Sequence, residues 1–113
     1  MRRGRIQGLN ITIPHKQVIL KFADELTPTA HAVGAINTLF WREKKLIGDN
    51  TDVQGFDSDI KRFYQQEFGS FPDRGKALVF GAGGAARAIV YSLVKNGWHV
   101  YISARREIGR AHV

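Results

Sequence analysis

The chain has no cysteine, and this absence excludes several kinds of chemistry. Disulfide cross-links, thiolate nucleophiles and cysteine-ligated metals all need a residue that the chain lacks. Its four histidines, His15, His31, His99 and His112, are scattered and never spaced as two zinc ligands on one helix face. We therefore predict that the protein holds no metal.

Long apolar runs are missing as well. No stretch of about 18 apolar residues is present, so we expect no transmembrane helix and no membrane partner. The basic N-terminus, Met1-Arg2-Arg3-Gly4-Arg5, leads into no apolar signal core. A hydrophobic fraction of 43% and a charged fraction of 24% are typical of a globular protein. We expect it to be cytoplasmic.

Acidic residues are few, ten against seventeen lysines and arginines, which leaves a formal net charge of +7. Such an excess can indicate nucleic-acid binding. Much of the charge, however, lies near the two ends of the chain, and aromatic residues do not alternate with basic ones as in a single-strand binder. We therefore predict a small phosphate-bearing ligand and no nucleic-acid partner.

What the chain does have is a glycine-rich turn between a predicted strand and a predicted helix. Residues 77–80 are typical of a buried parallel strand, and residues 85–95 carry apolar side chains at helical spacing. Between them, Gly81 allows a tight turn and Gly83 lets the backbone approach a pyrophosphate, while Ala86 is small enough for close packing. This arrangement predicts a dinucleotide site. A glycine turn that binds nothing is the alternative.

The second strand of this unit, residues 98–103, indicates which dinucleotide is bound. An NAD site places a carboxylate after this strand for the ribose 2′-hydroxyl. Here Arg105 and Arg106 follow instead. Two guanidinium groups favour the 2′-phosphate of NADP. An exposed basic loop is the alternative.

The first half of the chain predicts short strands and helices. A strand over residues 9–13 should stop at Pro14 and lead into a helix over residues 16–23. A short helix over 29–33 should end at Gly34, and residues 35–48 should form a hairpin that turns at 42–45. Residues 49–52 are typical helix caps before a helix over 53–68, and a loop over 69–75 leads to the glycine unit.

Two polar residues in this half are candidate ligand-binding groups. Lys16 lies at a strand-to-helix junction, where catalytic groups are often held, although an exposed helical lysine would show the same pattern. Asn37 is flanked by apolar residues, so its amide must find partners. It could orient a ligand or satisfy a backbone group.

Four separated stretches together resemble shikimate dehydrogenases. The family signatures N-V-T-x-P-x-K, G-A-x-N-T, G-x-N-T-D-x-x-G-F and G-A-G-G-A-[SA]-R-A are matched, in that order, by Asn10-Ile11-Thr12-Ile13-Pro14-His15-Lys16, Gly34-Ala35-Ile36-Asn37-Thr38, Gly48-Asp49-Asn50-Thr51-Asp52-Val53-Gln54-Gly55-Phe56 and Gly81-Ala82-Gly83-Gly84-Ala85-Ala86-Arg87-Ala88. Order and spacing also agree, and the resemblance covers roughly residues 8–106.

This resemblance implies a role for each matching residue. Lys16 corresponds to the catalytic acid/base, and Asp52 to the aspartate that works beside it and binds substrate. Thr12 and Asn37 correspond to residues that hydrogen-bond the substrate's hydroxyl and carboxylate groups. The expected reaction is the reversible, NADPH-dependent reduction of 3-dehydroshikimate to shikimate, in the pathway to chorismate and the aromatic amino acids.

The resemblance also assigns the cofactor contacts. Gly81, Ala82, Gly83, Gly84 and Ala85 correspond to the turn that binds the NADP pyrophosphate. Arg105 corresponds to the arginine that binds the 2′-phosphate, but Ala104 and Arg106 replace that arginine's usual neighbours. Either Arg105 or Arg106 could therefore be the clamp.

The predicted fold class is α/β. Residues 1–55 should form the C-terminal part of a substrate-binding domain, 56–75 a connecting helix and loop, and 76–113 the first βαβ unit of a Rossmann-type NADP domain, with a further helix just beginning. The family's N-terminal Ser-x-Ser segment and its C-terminal tyrosine and glutamine have no counterpart here. We therefore expect an internal fragment of low stability and little or no activity.

Two other functions fit parts of the same pattern. One is a quinate/shikimate dehydrogenase that uses NAD, and the other is a non-catalytic NADP-binding module. Arg105 and Arg106 argue against the first, and the presence of both Lys16 and Asp52 argues against the second. The pattern defines no oligomeric state.

Overall fold

The computed structural model describes residues 6–12, 14–104 and 107–110. They fall into two compact units, one ending at Thr51 and the other beginning at Asp52. Each unit combines helices with one sheet, of four strands in the first and three in the second. The predicted α/β class is confirmed. The predicted domain limits at residues 55 and 75 remain a prediction.

The first unit is built on a mixed sheet. Its strands are β1 (Gly8–Asn10), β2 (Glu25–Leu26), β3 (Thr38–Arg42) and β4 (Lys45–Asp49), in the order β1-β3-β4-β2. β3 is antiparallel to β1 and to β4, whereas the two-residue β2 runs parallel to β4. Residues Asn10, Thr38 and Asp49 are neighbours at one end of this sheet.

The predicted hairpin is confirmed as β3 and β4. Its two turn residues, Glu43 and Lys44, have φ values of 49° and 68°. Two positive φ values produce a turn whose twist matches that of the flanking strands. Neither residue is the glycine or asparagine that usually adopts this conformation, so the turn is held by the strand pairing on either side.

The short helix is also confirmed, as α1 (Pro28–Val33). The Thr27 hydroxyl accepts a hydrogen bond from the Ala30 N–H at 3.2 Å, which caps its start. Gly34 ends it in the left-handed region, with φ 73°. Behind α1 lies the core of the first unit, which consists of Ala30, Ile36, Leu39 and Leu46 with partly buried residues around them.

Two predicted elements at the start of the chain are shorter than expected. The strand predicted over 9–13 is the shorter β1, and Ile11 and Thr12 lie beyond its end, while Ile13 is outside the described residues. The helix predicted over 16–23 is a five-residue 3₁₀ helix, Val18–Phe22. Pro14 has no N–H for a ladder, and the β-branched residues of the segment disfavour an α-helix.

The second unit contains the predicted βαβ arrangement. It consists of α2 (Asp52–Phe68), β5 (Lys76–Phe80), α3 (Gly84–Lys95), β6 (His99–Ala104) and β7 (Glu107–Arg110). β5 and β6 are parallel and are joined through α3. The helix expected after β6 is wrong, because β7 turns back antiparallel to β6. Pairing with the open edge of β6 satisfies backbone groups that a single turn of helix would leave unpaired.

The sheet of the second unit has one covered face and one uncovered face. Val79, Leu93, Trp98 and Val100 form the core, with partly buried side chains of α2 and α3 packed on it. Leu78, Phe80 and Tyr101 point the other way and are 48%, 77% and 41% exposed. No helix among the described residues is long and apolar enough to cross a membrane.

Aromatic side chains close one end of this core. The rings of Phe71 and Trp98 stack with centroids 5.5 Å apart, and Tyr64 meets both edge-on. The Trp98 indole N–H donates to the Pro72 carbonyl at 3.0 Å. Gly75 passes so close that a Cβ there would lie 2.5 Å from the Trp98 ring. Only glycine fits at this position without a shift of the ring.

Candidate functional site

Three of the four motif segments meet at one end of the first sheet. The Ile36 N–H donates to the Lys16 carbonyl at 2.7 Å, and the Asn37 carbonyl accepts from the Ile11 N–H at 2.6 Å. On the other side, the Asn37 N–H donates to the Asp49 carbonyl at 3.0 Å. The backbone at Ile36 and Asn37 is therefore held between the segment that carries Lys16 and the segment that ends β4.

The Asn37 side chain is fixed by its neighbours. Its Oδ1 accepts from the Thr51 N–H at 2.9 Å and from the Thr38 hydroxyl at 3.0 Å. Its Nδ2 donates to the Thr51 hydroxyl at 2.8 Å. Of the two roles considered for Asn37, the structure shows that it satisfies a backbone group. The same bonds fix the orientation of its amide, which a substrate-binding group also requires.

Residues 49–51 do more than precede α2. Asp49 Oδ1 accepts from the Thr27 hydroxyl at 2.6 Å and from the Asn50 N–H at 2.8 Å. The buried Asn50 donates through Nδ2 to the Ala35 carbonyl at 3.1 Å. The prediction of a helix cap is therefore wrong for Asp49, which is the last residue of β4. Asn50 ties the loop to the first unit. Their polarity was the available signal, because short polar side chains also serve such loop bonds.

The other proposed substrate residues are placed as follows. Lys16 is half-buried in a turn before the 3₁₀ helix, so the reading as an exposed helical lysine is wrong. Thr12 is exposed, and its carbonyl accepts from the His15 N–H at 2.9 Å. Asp52 is half-buried and is the first residue of α2, where a negative charge is favourable at the positive end of the helix.

The glycine turn of the second unit has the features that a pyrophosphate needs. Gly81 has φ +117°, a conformation open to glycine, and its N–H donates to the Ser103 carbonyl at 2.9 Å. Gly83 stands at the start of α3 without a side-chain cap, and a Cβ there would meet nothing within 4 Å. The first N–H groups of a helix have no acceptor inside it. An anion at this turn would find N–H donors and open space.

The predicted pyrophosphate residues are thus brought together at one place. Ala82, Gly83 and Ala85 are exposed, and Gly84 is the first residue of α3. The hydrogen bond from Gly81 to Ser103 brings the end of β6 beside the turn, as expected for the carboxyl ends of parallel strands. Arg105 and Arg106 lie outside the described residues, so their contacts with a 2′-phosphate remain a prediction.

A polar cluster that the sequence did not indicate lies between α2 and α3. Asp57 Oδ1 accepts from Asn96 Nδ2 at 2.6 Å and from the Ser92 hydroxyl at 3.2 Å. Lys61 Nζ lies 2.9 Å from Asp57 Oδ2. Burial acts to raise the pKa of Asp57, but the hydrogen bonds from Lys61, Asn96 and Ser92 outweigh it and lower the pKa below its ordinary value of 3.8.

The fold and the two candidate sites define a class: an α/β protein with a cluster of polar residues at the end of one sheet and a glycine turn between a strand and a helix of another. Comparison with known proteins shows which family within this class the chain resembles. Residues 1–39 match the family model of the shikimate dehydrogenase substrate binding domain. The NADP-type shikimate dehydrogenase of Dictyoglomus thermophilum is 41% identical over 94% of this chain and 36% of its own length.

Solved structures agree with the sequence comparison. Shikimate dehydrogenase 1 from Peptoclostridium difficile has a TM-score of 0.78 and 34% identity over 94% of this chain and 39% of its own. The shikimate 5-dehydrogenase of Thermus thermophilus, in complex with NADP(H) and shikimate, has a TM-score of 0.73 and 38% identity over 92% of this chain and 38% of its own. The predicted resemblance is confirmed: the chain is a homologue of NADP-dependent shikimate dehydrogenases along nearly all its length, and it spans little more than a third of theirs.

Proposed function

We propose that the chain carries part of the machinery of an NADP-dependent shikimate dehydrogenase, which reduces 3-dehydroshikimate reversibly to shikimate. The observation that carries the proposal is the meeting of three motif segments at Asn37, whose backbone is bonded to Ile11 and Asp49 while its neighbour Ile36 is bonded to Lys16. The Thermus thermophilus enzyme, which resembles this chain in fold, was solved with NADP(H) and shikimate. Its ligands are those that the two sites suggest.

In this proposal the glycine turn holds the nucleotide. The N–H groups at the start of α3 and the space in front of Gly83 suit a pyrophosphate, which the helix dipole also favours. When bound, NADPH supplies the hydride for the substrate carbonyl carbon. Arg105 and Arg106 provide the positive charge for the 2′-phosphate.

Lys16 acts as the acid/base that exchanges a proton with the reacting oxygen of the substrate. In the direction of reduction, its ammonium group donates a proton to the carbonyl oxygen as that oxygen gains negative charge. In the direction of oxidation, neutral Lys16 accepts the hydroxyl proton. The half-buried position of Lys16 and the bond from Ile36 to its carbonyl support a fixed catalytic group.

The remaining polar residues bind the substrate. Thr12 and Asn37 hydrogen-bond its hydroxyl and carboxylate groups, and the fixed amide of Asn37 supports this role. The part assigned to Asp52, which is substrate binding and support of the charged form of Lys16, comes from its motif alone. A cytoplasmic location and a place in the pathway to chorismate belong to the same proposal.

The test is shikimate-dependent reduction of NADP⁺, with NAD⁺ in parallel. It is run on the chain itself and on a chimera in which the chain replaces the matching segment of the Dictyoglomus thermophilum enzyme. We expect turnover by the chimera with a preference for NADP⁺. A preference for NAD⁺ would favour the quinate/shikimate alternative. Nucleotide binding without turnover in the chimera would favour the non-catalytic module and contradict the proposal.

A further inference from the structure

The polar cluster around Asp57 joins α2 to the C-terminal end of α3, the end away from the glycine turn. Asp57 projects from α2, whereas Ser92 and Asn96 lie at the C-terminal end of α3. Ser92 is only 1% exposed, and the Asp57 side chain is 30% exposed. Hydrogen bonds to a charged group that is partly shielded from water are stronger than those at an open surface.

Asn96 is also the residue at which α3 ends. Its backbone N–H donates to the carbonyls of Ser92 and Leu93, each at 3.1 Å, and its side chain donates to the Ser92 carbonyl at 2.8 Å. At the opposite end, Gly83 precedes α3 and provides no side-chain cap. The helix is therefore held by polar bonds at the end that faces away from the glycine turn.

The hydrogen bonds of Asp57 can fix the direction of α3 relative to α2, which apolar packing alone does not fix. Phe56 and Ile60 of α2, like Ile89 and Val90 of α3, pack on the core of the second unit. Such packing is non-directional, because burial rewards area rather than angle. The bonds of Asp57 are directional. A helix of 12 residues is about 18 Å long, so a 10° change of direction about its middle moves its ends by roughly 1.5 Å. A displacement of that size matters at a ligand-binding turn.

We propose that Asp57 is a positioning residue for nucleotide binding: by anchoring the C-terminal end of α3 to α2, it sets where the N–H groups of Gly83, Gly84 and Ala85 meet the pyrophosphate. The inference rests on the proposed nucleotide-binding role of the glycine turn. Asp57 lies outside the glycine turn itself, so its effect passes through the direction of α3.

The first experiment needs no nucleotide. Amide NMR spectra of the whole chain are compared for the wild type, Asp57→Ala and Asp59→Ala. Asp59 is a matched control, because it lies on α2, is exposed and pairs with Arg62 in the same helix. Gly84 is eight residues from Ser92, or about 12 Å of helix, which is too far for a direct effect on its shift. We expect the amide signals of Gly83, Gly84 and Ala85 to move in Asp57→Ala and to stay in place in Asp59→Ala.

The second experiment measures the affinity of the chain for two ligands, NADP⁺ and adenosine 2′-monophosphate. NADP⁺ carries the pyrophosphate, whereas adenosine 2′-monophosphate does not. We expect Asp57→Ala to weaken NADP⁺ binding about tenfold and to leave the nucleoside monophosphate unchanged. Asp57→Asn keeps an oxygen for Ser92 and Asn96, so it should retain NADP⁺ affinity within about twofold. Ile60→Val loosens the core packing of the second unit but changes no side chain of the Asp57 cluster, so it should not change the ratio of the two affinities.

Each other outcome overturns the inference. Unmoved turn amides in Asp57→Ala would show that the anchor does not reach the turn. Equal weakening of both ligands, or the same selective loss in Ile60→Val, would indicate a merely structural role. If the wild type binds no NADP⁺, the proposed function fails by itself, and the ligand-free spectra alone decide whether Asp57 positions the turn.

Discussion

Asn37 and Thr51 are joined by a reciprocal pair of hydrogen bonds. Oδ1 of the Asn37 side chain accepts from the Thr51 N–H at 2.9 Å, and its Nδ2 donates to the Thr51 hydroxyl at 2.8 Å. The two partners are 14 positions apart in the sequence, so the pair fastens the end of the first unit to the residue just before β3.

Removing this pair should loosen the end of the first unit. We expect Asn37→Ala to lower its free energy of unfolding by about 1–3 kcal/mol, because the Thr51 N–H loses its acceptor. Thr51→Val removes only the hydroxyl and should cost less. Urea unfolding followed by Trp41 fluorescence in a Trp98→Phe background measures both, with the exposed Gln7→Ala as control. Equal stability of Asn37→Ala and the control would show that the pair adds nothing.

Loss of the proposed acid/base should affect the chemical step rather than nucleotide binding. In the chimera, we expect Lys16→Ala to lower turnover about 10²–10⁴-fold with little change in NADP⁺ affinity. Lys21→Ala is the matched control, because Lys21 is exposed on the adjacent 3₁₀ helix and contacts the Phe22 ring. Steady-state rates and nucleotide titrations distinguish the two effects. Normal turnover of Lys16→Ala would refute the catalytic assignment.

Two glycines of the glycine turn, Gly81 and Gly83, should respond differently to alanine. A Cβ at Gly83 meets open space, so Gly83→Ala should leave stability unchanged yet weaken NADP⁺ binding, since the methyl group occupies the space that the pyrophosphate needs. Gly81→Ala forces φ +117° on an alanine and should cost about 1–3 kcal/mol of stability. Thermal melts and NADP⁺ titrations separate these effects. Full NADP⁺ affinity in a folded Gly83→Ala would argue against a pyrophosphate at this turn.

Two other glycines of the second unit form an opposed pair. Gly75→Ala places a methyl group against the Trp98 ring and should destabilise the unit by about 1–3 kcal/mol. Gly55→Ala lies within α2 with nothing within 4 Å of its Cβ, so it should stabilise by up to about 1 kcal/mol. The chain has two tryptophans, so a Trp41→Phe background leaves Trp98 as the sole reporter of unfolding. Stability changes of the same sign in both variants would contradict these packing contacts.

The stability of the second unit should depend on acid through Asp57. Its pKa in the folded chain is lower than the ordinary 3.8, so the stabilisation is present above that value and is lost as the pH falls through the folded pKa. Urea unfolding between about pH 2 and 6 should therefore show a steeper acid loss in the wild type than in Asp57→Asn. Asp59→Asn serves as the exposed control. Identical acid profiles for the wild type and Asp57→Asn would rule out this contribution.

The elements that were predicted correctly carry their own local signals. The apolar run before Gly81, the helical spacing after it and the long α2 depend on residues close together in sequence. The two-residue β2 had no such signal. It is held from outside by the Asp24 carboxylate, which accepts from the Leu46 N–H at 2.7 Å across a separation of 22 residues. Elements defined by distant partners do not show in a local pattern.

The candidate sites divide in the same way. The glycine turn was predictable because backbone conformation demands glycine at Gly81. The cluster of Asp57, Ser92 and Asn96 was not predictable, because Ser92 and Asn96 lie 35 and 39 residues from Asp57 in the sequence. Each of the three looks like an ordinary helix-surface residue. Asp49 was predicted wrongly for a related reason, since its polar side chain fits both a helix cap and a loop bond.

The exposed apolar face of β5 and β6, with Leu78, Phe80 and Tyr101, affects how copies of the chain associate in solution. Apolar contact tends to bring two copies of the chain together, while the formal charge of +7 on each copy keeps them apart. Salt screens the charge repulsion but not the apolar contact. The range of the repulsion falls to about 10 Å at 0.1 M salt. We therefore expect the molecules to stay dispersed in dilute buffer and to associate as salt is added.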